Sequence, residues 1–141
     1  MAAAVTAFAE DPEISPDKPI VNFRLPNFTP DGFRSWLVRG SEAYYLPKAN
    51  QIDVKELSLS VFSGKNDGKL VTMMLSPSAK VFPSEAIVTS DSALRVINDE
   101  YEATGTGWRF SYTDNKKKDY KITVTKKVRV TFSAETKDLL K

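Results

Sequence analysis

The chain contains no histidine and no cysteine. Without histidine a Ser-His-Asp or Cys-His catalytic unit is impossible, and without either residue the usual zinc sites cannot be built. Lack of cysteine also removes any disulfide framework or lipid-modified thiol, although it assigns no compartment. Charge imbalance is slight. Twenty Lys and Arg against eighteen Asp and Glu leave +2, too little to argue for nucleic acid. No apolar run approaches the ~20 residues that a membrane-crossing helix requires. Glycines number only six, and Gly105-Thr106-Gly107 is not a phosphate loop because no Lys-Ser/Thr pair follows it. These absences point to a non-enzymatic protein that uses no cofactor and no metal.

At 141 residues, 41% hydrophobic and 27% charged, the chain is long enough for one domain with a real core. Its clearest pattern lies in residues 101–132, which read as two or three β-strands. Trp108, Phe110 and Tyr112 share one parity, and Thr113-Asp114-Asn115-Lys116 supplies turn chemistry. The alternation then resumes. Tyr120, Ile122, Val124, Val128, Val130 and Phe132 fall on one face, and Lys121, Thr123, Thr125, Lys127, Arg129 and Thr131 on the other. A period of two describes a sheet with one wet and one greasy face, the greasy face being either a closed core or a slot for an apolar ligand.

Ahead of this region, residues 1–19 read as a tail or signal remnant. Ala7-Phe8-Ala9 has the small-x-small form of a secretory cleavage site without a basic segment before it, and residues 10–19 carry three prolines. Ser15-Pro16-Asp17-Lys18 matches Ser-x-x-Lys only by coincidence of composition. Residues 20–25 open the ordered domain as a strand ended by Pro26, and a second follows from Phe33 to Tyr45, with Gly40 marking a bulge. From Ile52 to Phe62 the apolar parity shifts from even (Ile52, Val54) to odd (Leu57, Leu59, Val61), which requires a bulge near Lys55-Glu56. Residues 63–68 form a hairpin connection. Leu70 to Leu75 is apolar on both parities and reads as a strand covered on both sides. Residues 78–82, 86–89, 94–97 and 101–104 read as short strands, so the fold class is all-β, with the domain closing at residue 132 and a short tail at 133–141.

Charge is unevenly distributed. Residues 109–132 hold eight Lys and Arg against two acids, a local +6, whereas residues 1–31 hold two against five, a local −3. A solvated strand face accounts for the basic third, and a surface for anionic headgroups is the sharper reading. Asp99, Glu100 and Glu102 suggest paired carboxylates, but neighbours on one strand point in parallel and describe a solvated turn. Stacking of bases or sugars on Trp36, Tyr44, Tyr45, Trp108, Phe110 and Tyr112 would make the chain a β-barrel module for carbohydrate or single-stranded nucleic acid. Core packing is the commoner fate of such residues.

Several stretches together resemble a known family. Phe23-Arg24-Leu25-Pro26-Asn27-Phe28, then Gly32 through Trp36-Leu37-Val38 to Ala43-Tyr44-Tyr45, resembles the start of an LptC/OstA-like periplasmic domain of the lipopolysaccharide export system. Leu75-Ser76-Pro77-Ser78-Ala79 and Thr89-Ser90-Asp91-Ser92-Ala93 are similar to that family's recurrent steps, and Val128 to Phe132 to its closing Val-x-Val-x-Phe. The resemblance spans residues 20–132. It implies a twisted antiparallel β-jellyroll, open at its ends, whose apolar interior passes lipid acyl chains and whose edge strands continue into other β-jellyroll export proteins. The implied lipid groove comprises Trp36, Val38, Leu57, Leu59, Val61, Trp108, Phe110, Tyr112, Val128 and Val130, and the headgroup face Lys121, Lys127 and Arg129. The implied partners are lipopolysaccharide or a lipid A-like amphiphile, fellow jellyrolls and an inner-membrane transporter complex, with no nucleic acid. The implied place is the periplasm, with membrane association through an N-terminal segment that this sequence lacks.

Overall fold

The computed structural model describes residues 18–113 and 119–132. Among them 78% are strand and none is α-helical, which establishes the all-β class. Seven antiparallel strands, β1 (Ile20–Phe28), β2 (Arg34–Leu46), β3 (Gln51–Phe62), β4 (Leu70–Phe82), β5 (Ile87–Asn98), β6 (Tyr101–Thr113) and β7 (Asp119–Phe132), form one sheet in sequence order. Each strand after the first is 12 to 14 residues long. The turn expected at residues 113–116 falls, beyond Thr113, outside the described residues, as do the stretches 1–17 and 133–141. Among the described residues no helix is long and apolar enough to cross a membrane.

The short strands expected from the sequence are the halves of longer ones. Residues 70–75 and 78–82 join as β4, the two pieces around Ser90-Asp91-Ser92 join as β5, and residues 101–104 run on through Trp108 as β6. Proline misled at one point. Pro26 does not end β1, because an edge strand needs no donor on its open side. Pro77 sits where the β4–β5 register breaks between Leu75 and Lys80, so its missing N–H breaks no regular pair there. Nor is the start of β4 covered on both sides: Thr72, Met74 and Ser76 are buried, whereas Leu70 and Val71 are exposed.

A line of irregularities crosses the sheet at mid-strand and gives the molecule its shape. Left-handed backbone occurs at Asn22 in β1, Glu56 in β3, Gly107 in β6 and Lys127 in β7. The paired registers also slip between Ser90 and Ala93 and between Thr104 and Thr106. The bulge expected near Lys55-Glu56 is part of this line. On one side lie residues 23–28, 34–39, 57–62, 70–76, 93–98, 101–105 and 128–132; on the other lie 42–46, 51–55, 78–82, 87–91, 107–113 and 119–126. The two half-sheets face each other. Trp36 and Phe110 have ring centroids 5.4 Å apart, although β2 and β6 are four strands apart, ~19 Å in a flat sheet. The hydroxyls of Thr72 on β4 and Tyr120 on β7 meet at 2.6 Å across three strand spacings, ~14 Å when flat. One sheet doubled along its bulge line therefore buries its own greasy face.

Bulges free carbonyls that a regular ladder would have paired, and hydroxyl side chains meet them. Ser90 and Ser92 both donate to the Ser78 carbonyl, at 2.6 and 3.0 Å. Ser76 donates to Ala93 O at 2.6 Å, and Thr125 Oγ1 lies 3.1 Å from the carbonyls of both Thr106 and Gly107. Close approach demands glycine at two points on the line. A Cβ on Gly40 would stand 2.3 Å from Val54 Cγ1 and 2.9 Å from Lys55 O, and one on Gly105 would stand 2.3 Å from Val124 Cγ1.

Gly40→Ala is therefore expected to destabilise the protein by about 1–3 kcal/mol in denaturant unfolding, the range for overpacking. In a Val54→Ala background the added cost should be smaller, and a double-mutant cycle measures the difference. An equal cost in both backgrounds would show that Val54 is not what excludes the methyl group.

Candidate functional site

The residues expected to line a lipid groove divide into two groups. Trp36, Val38, Leu57, Leu59, Val61, Trp108, Phe110 and Tyr112 all belong to the buried apolar cluster, with Val38, Leu59, Val61 and Phe110 fully inaccessible. Val128 and Val130 lie elsewhere. They are 52% and 47% exposed, with Phe132 beside them at 44%. The shared parity with Trp108 and Phe110 does not bring these valines into the cluster, because the bulge at Lys127 parts the two halves of β7. Tyr120, Ile122 and Val124, before the bulge, pack against the cluster.

Register explains what the second group is. Val130 stands directly opposite Ala103, and Phe132 opposite Tyr101. Ala103 is buried and Tyr101 packs against the cluster, so Val130 and Phe132 lie on the inner side of the sheet. The end of β7 thus forms an apolar shelf that continues the core beyond the part the facing layer covers. A groove of ≈ 600 Å³ lies nearby on the bulge line, bordered by Leu57, Ser76, Leu94, Gly105, Arg95 and Lys127. It brings together one expected groove residue, Leu57, and one expected headgroup residue, Lys127. Lys121 and Arg129 are exposed on β7 and do not line that groove, although Arg129 pairs with Thr104, which does.

Polar groups within the core are few and paired. Trp108 Nε1 donates to Ser76 Oγ at 3.2 Å, which fixes the indole against the bulge line. Burial raises the Tyr120 phenol above its ordinary 10.0, and its hydrogen bond with Thr72 works the other way. Outside the core, the hydrogen bond from Arg95 Nε to Glu102 at 2.7 Å holds that carboxyl below its usual range. One member of the Asp99-Glu100-Glu102 group is therefore engaged by a guanidinium. Among the described residues no group of three or more potential ligands is placed to hold a metal ion. Four of the six aromatic residues considered for stacking, Trp36, Trp108, Phe110 and Tyr112, are withdrawn from solvent. Tyr45 remains 36% exposed and Tyr44 half-buried.

Sequence reasoning missed the role of Ser76, Ser90 and Ser92. The signal was present in the two Ser-rich steps, Leu75–Ala79 and Thr89–Ala93, which hold the bulge line together. Comparison with known families and with curated proteins finds no family model that matches the chain and no curated protein significantly similar to it.

Trp108→Ala is expected to cost ~3–5 kcal/mol, because it empties a closed part of the core and leaves Ser76 without its indole partner. A loss below about 1 kcal/mol in urea unfolding would mean that the site is already partly empty. Tyr120 generates a pH dependence of definite sign. The unfolded chain ionises this phenol first, so its contribution is intact below about pH 10 and is lost as pH climbs through the raised folded value. Unfolding free energies measured across this range should fall less steeply for Tyr120→Phe than for the parent chain. Parallel curves would contradict the burial of this hydroxyl.

Proposed function

We propose that this chain is a non-enzymatic, periplasmic lipid-transport or scaffold domain of the LptC/OstA kind, an open-ended β-jellyroll that carries the acyl chains of lipopolysaccharide. The observation that carries this reading is the apolar shelf of Val128, Val130 and Phe132, which extends a buried greasy face into solvent at an open sheet edge. A monomer gains nothing from leaving Val130 and Phe132 half exposed on the inner side, with Val128 exposed beside them. An acyl chain laid along them continues the core. Burial yields about 0.8 kcal/mol per CH₂, so a ~12-carbon chain offers roughly 9 kcal/mol before ordering costs. An exposed lysine–phosphate contact adds at most about 1 kcal/mol. Apolar fit would dominate affinity, and Lys127 at the neighbouring groove would orient the headgroup.

Partner jellyrolls fit the same geometry. Among the described residues β1 and β7 are each paired on one side only, and an added strand would extend the sheet by main-chain hydrogen bonds. A bound amphiphile would then pass along a continuous inner face from one domain to the next.

Photo-crosslinking separates the two faces of β7. With a benzophenone amino acid in place of Val130 or Phe132, the purified chain incubated with lipopolysaccharide below its aggregation concentration should form lipid adducts. The same group at Thr131, whose side chain points to the opposite face, should not. Absence of adducts at both inner positions, or equal yield at Thr131, would overturn the reading.

A further inference from the structure

The outer face of the first half-sheet carries a pattern that only register reveals. Arg24 on β1 stands directly opposite Arg39 on β2, Arg39 opposite Ser58, and Ser58 opposite Leu75. The same row continues from Leu75 to Arg95, then Thr104, then Arg129. Four of the chain's six arginines, and none of its fourteen lysines, thus lie in a single line across all seven strands. At ~4.8 Å per strand the line runs ~29 Å. All four arginines are exposed, and their neighbours in the chain, Leu25, Val38, Leu94 and Val130, point to the inner side.

Such an arrangement is not made for the fold. Like charges directly opposite each other on a sheet repel, as Arg24 and Arg39 do. Among the described residues Arg95 is the one member with an ion pair, to Glu102, and no carboxylate meets Arg24, Arg39 or Arg129. A planar guanidinium grips a phosphate with two parallel hydrogen bonds, which an ammonium cannot do, and that favours arginine where phosphates are read. Apolar surface adjoins the line. Leu75 within it and Met73 and Ile97 beside it are half-buried, and Val71 farther along β4 is 38% exposed. No tryptophan or tyrosine stands in this row or in the next row, so bases would find no stacking platform.

We propose that this outer face docks on the surface of an anionic phospholipid bilayer, with the arginine row at the level of the lipid phosphates. Met73, Leu75, Val71 and Ile97 then face the boundary between headgroups and acyl chains, the arrangement of interfacial binding by apolar contact reinforced by cations. The docking face is the reverse of the shelf that would carry an acyl chain, while the groove at Lys127 opens onto the row through Leu75, Arg95 and Thr104. Crosslinking at Val130 and Phe132 tests the acyl chain and vesicle binding tests the row, so the two can fail separately.

Co-sedimentation of the full chain with extruded vesicles tests it. Vesicles of phosphatidylcholine with phosphatidylglycerol should bind the protein, and vesicles of phosphatidylcholine alone should not. The triple variant Arg24→Gln, Arg39→Gln, Arg129→Gln should weaken binding on the order of 100-fold, since each cation at an anionic surface contributes roughly fivefold. Circular dichroism and thermal melting confirm that this variant is folded, and all three positions are exposed. A charge-matched control, Lys48→Gln, Lys65→Gln, Lys80→Gln, should lose far less. Equal loss in the control would reduce the effect to net charge and overturn the proposal, as would absence of binding to the anionic vesicles. Competition by inorganic phosphate would assign the row to free phosphate. Tighter, row-dependent binding of a single-stranded oligonucleotide would assign it to nucleic acid. Either result overturns the bilayer.

Discussion

The structure depends on bending every strand at the same height. One sheet of seven strands, with no α-helix among the described residues to cover it, can bury its greasy face only against itself. A sheet of unbroken 13-residue strands resists being doubled, because regular pairing holds neighbouring strands at one spacing and a small, steady twist. Bulges release that constraint locally. Each releases it only within its own pair, so a fold across the whole sheet requires the irregularities to line up. Glu56, Gly107 and Lys127 in left-handed backbone, the hydroxyls of Ser76, Ser90, Ser92 and Thr125, and the tight approach at Gly40 and Gly105 are parts of this one device. The non-glycine residues held at positive φ are strained, each by about 1–2 kcal/mol. Burial of Trp36, Phe110 and their neighbours between the layers offsets that cost.

Much of this was legible in the sequence, and the limits have physical causes. The alternation at 108–112 and 120–132 and the parity change at Lys55-Glu56 report side-chain direction, which is local, so strand and bulge could both be read there. Pro26 could not be placed correctly, because proline's effect depends on whether its missing donor faces a partner. That is a matter of sheet order and register. The doubly apolar run Val71-Thr72-Met73-Met74-Leu75 suggested two covered faces, whereas one face is turned to solvent. Apolar content alone does not distinguish a buried outer face from one left partly exposed. Val128 and Val130 share a parity with the core residues of β7, yet the bulge at Lys127 carries them past the facing layer.

Because the molecule is one sheet doubled over, every strand position belongs either to the inner or to the outer surface, and the two surfaces carry different chemistry. The inner side is apolar and ends in an uncovered shelf. The outer side gathers arginines from β1, β2, β5 and β7 that are scattered in the sequence. A surface of this kind cannot be read as a charge run, since its members are spread over 105 positions of the 141-residue chain, from Arg24 to Arg129. The basic stretch conspicuous in the sequence, residues 109–132, contributes only Arg129 to it.

Strand order also bears on how the chain reaches this state. Each strand pairs only with its neighbours in sequence, so the ladder can assemble hairpin by hairpin, closing short loops one after another. Contacts such as Trp36 with Phe110 and Thr72 with Tyr120 join distant parts of the chain, and they require the ladder and its bulges to exist beforehand. The two kinds of contact differ in what their loss would uncover: parting the two half-sheets about the bulge line would leave every strand pair in place yet expose the whole inner face at once, since no other described element covers it.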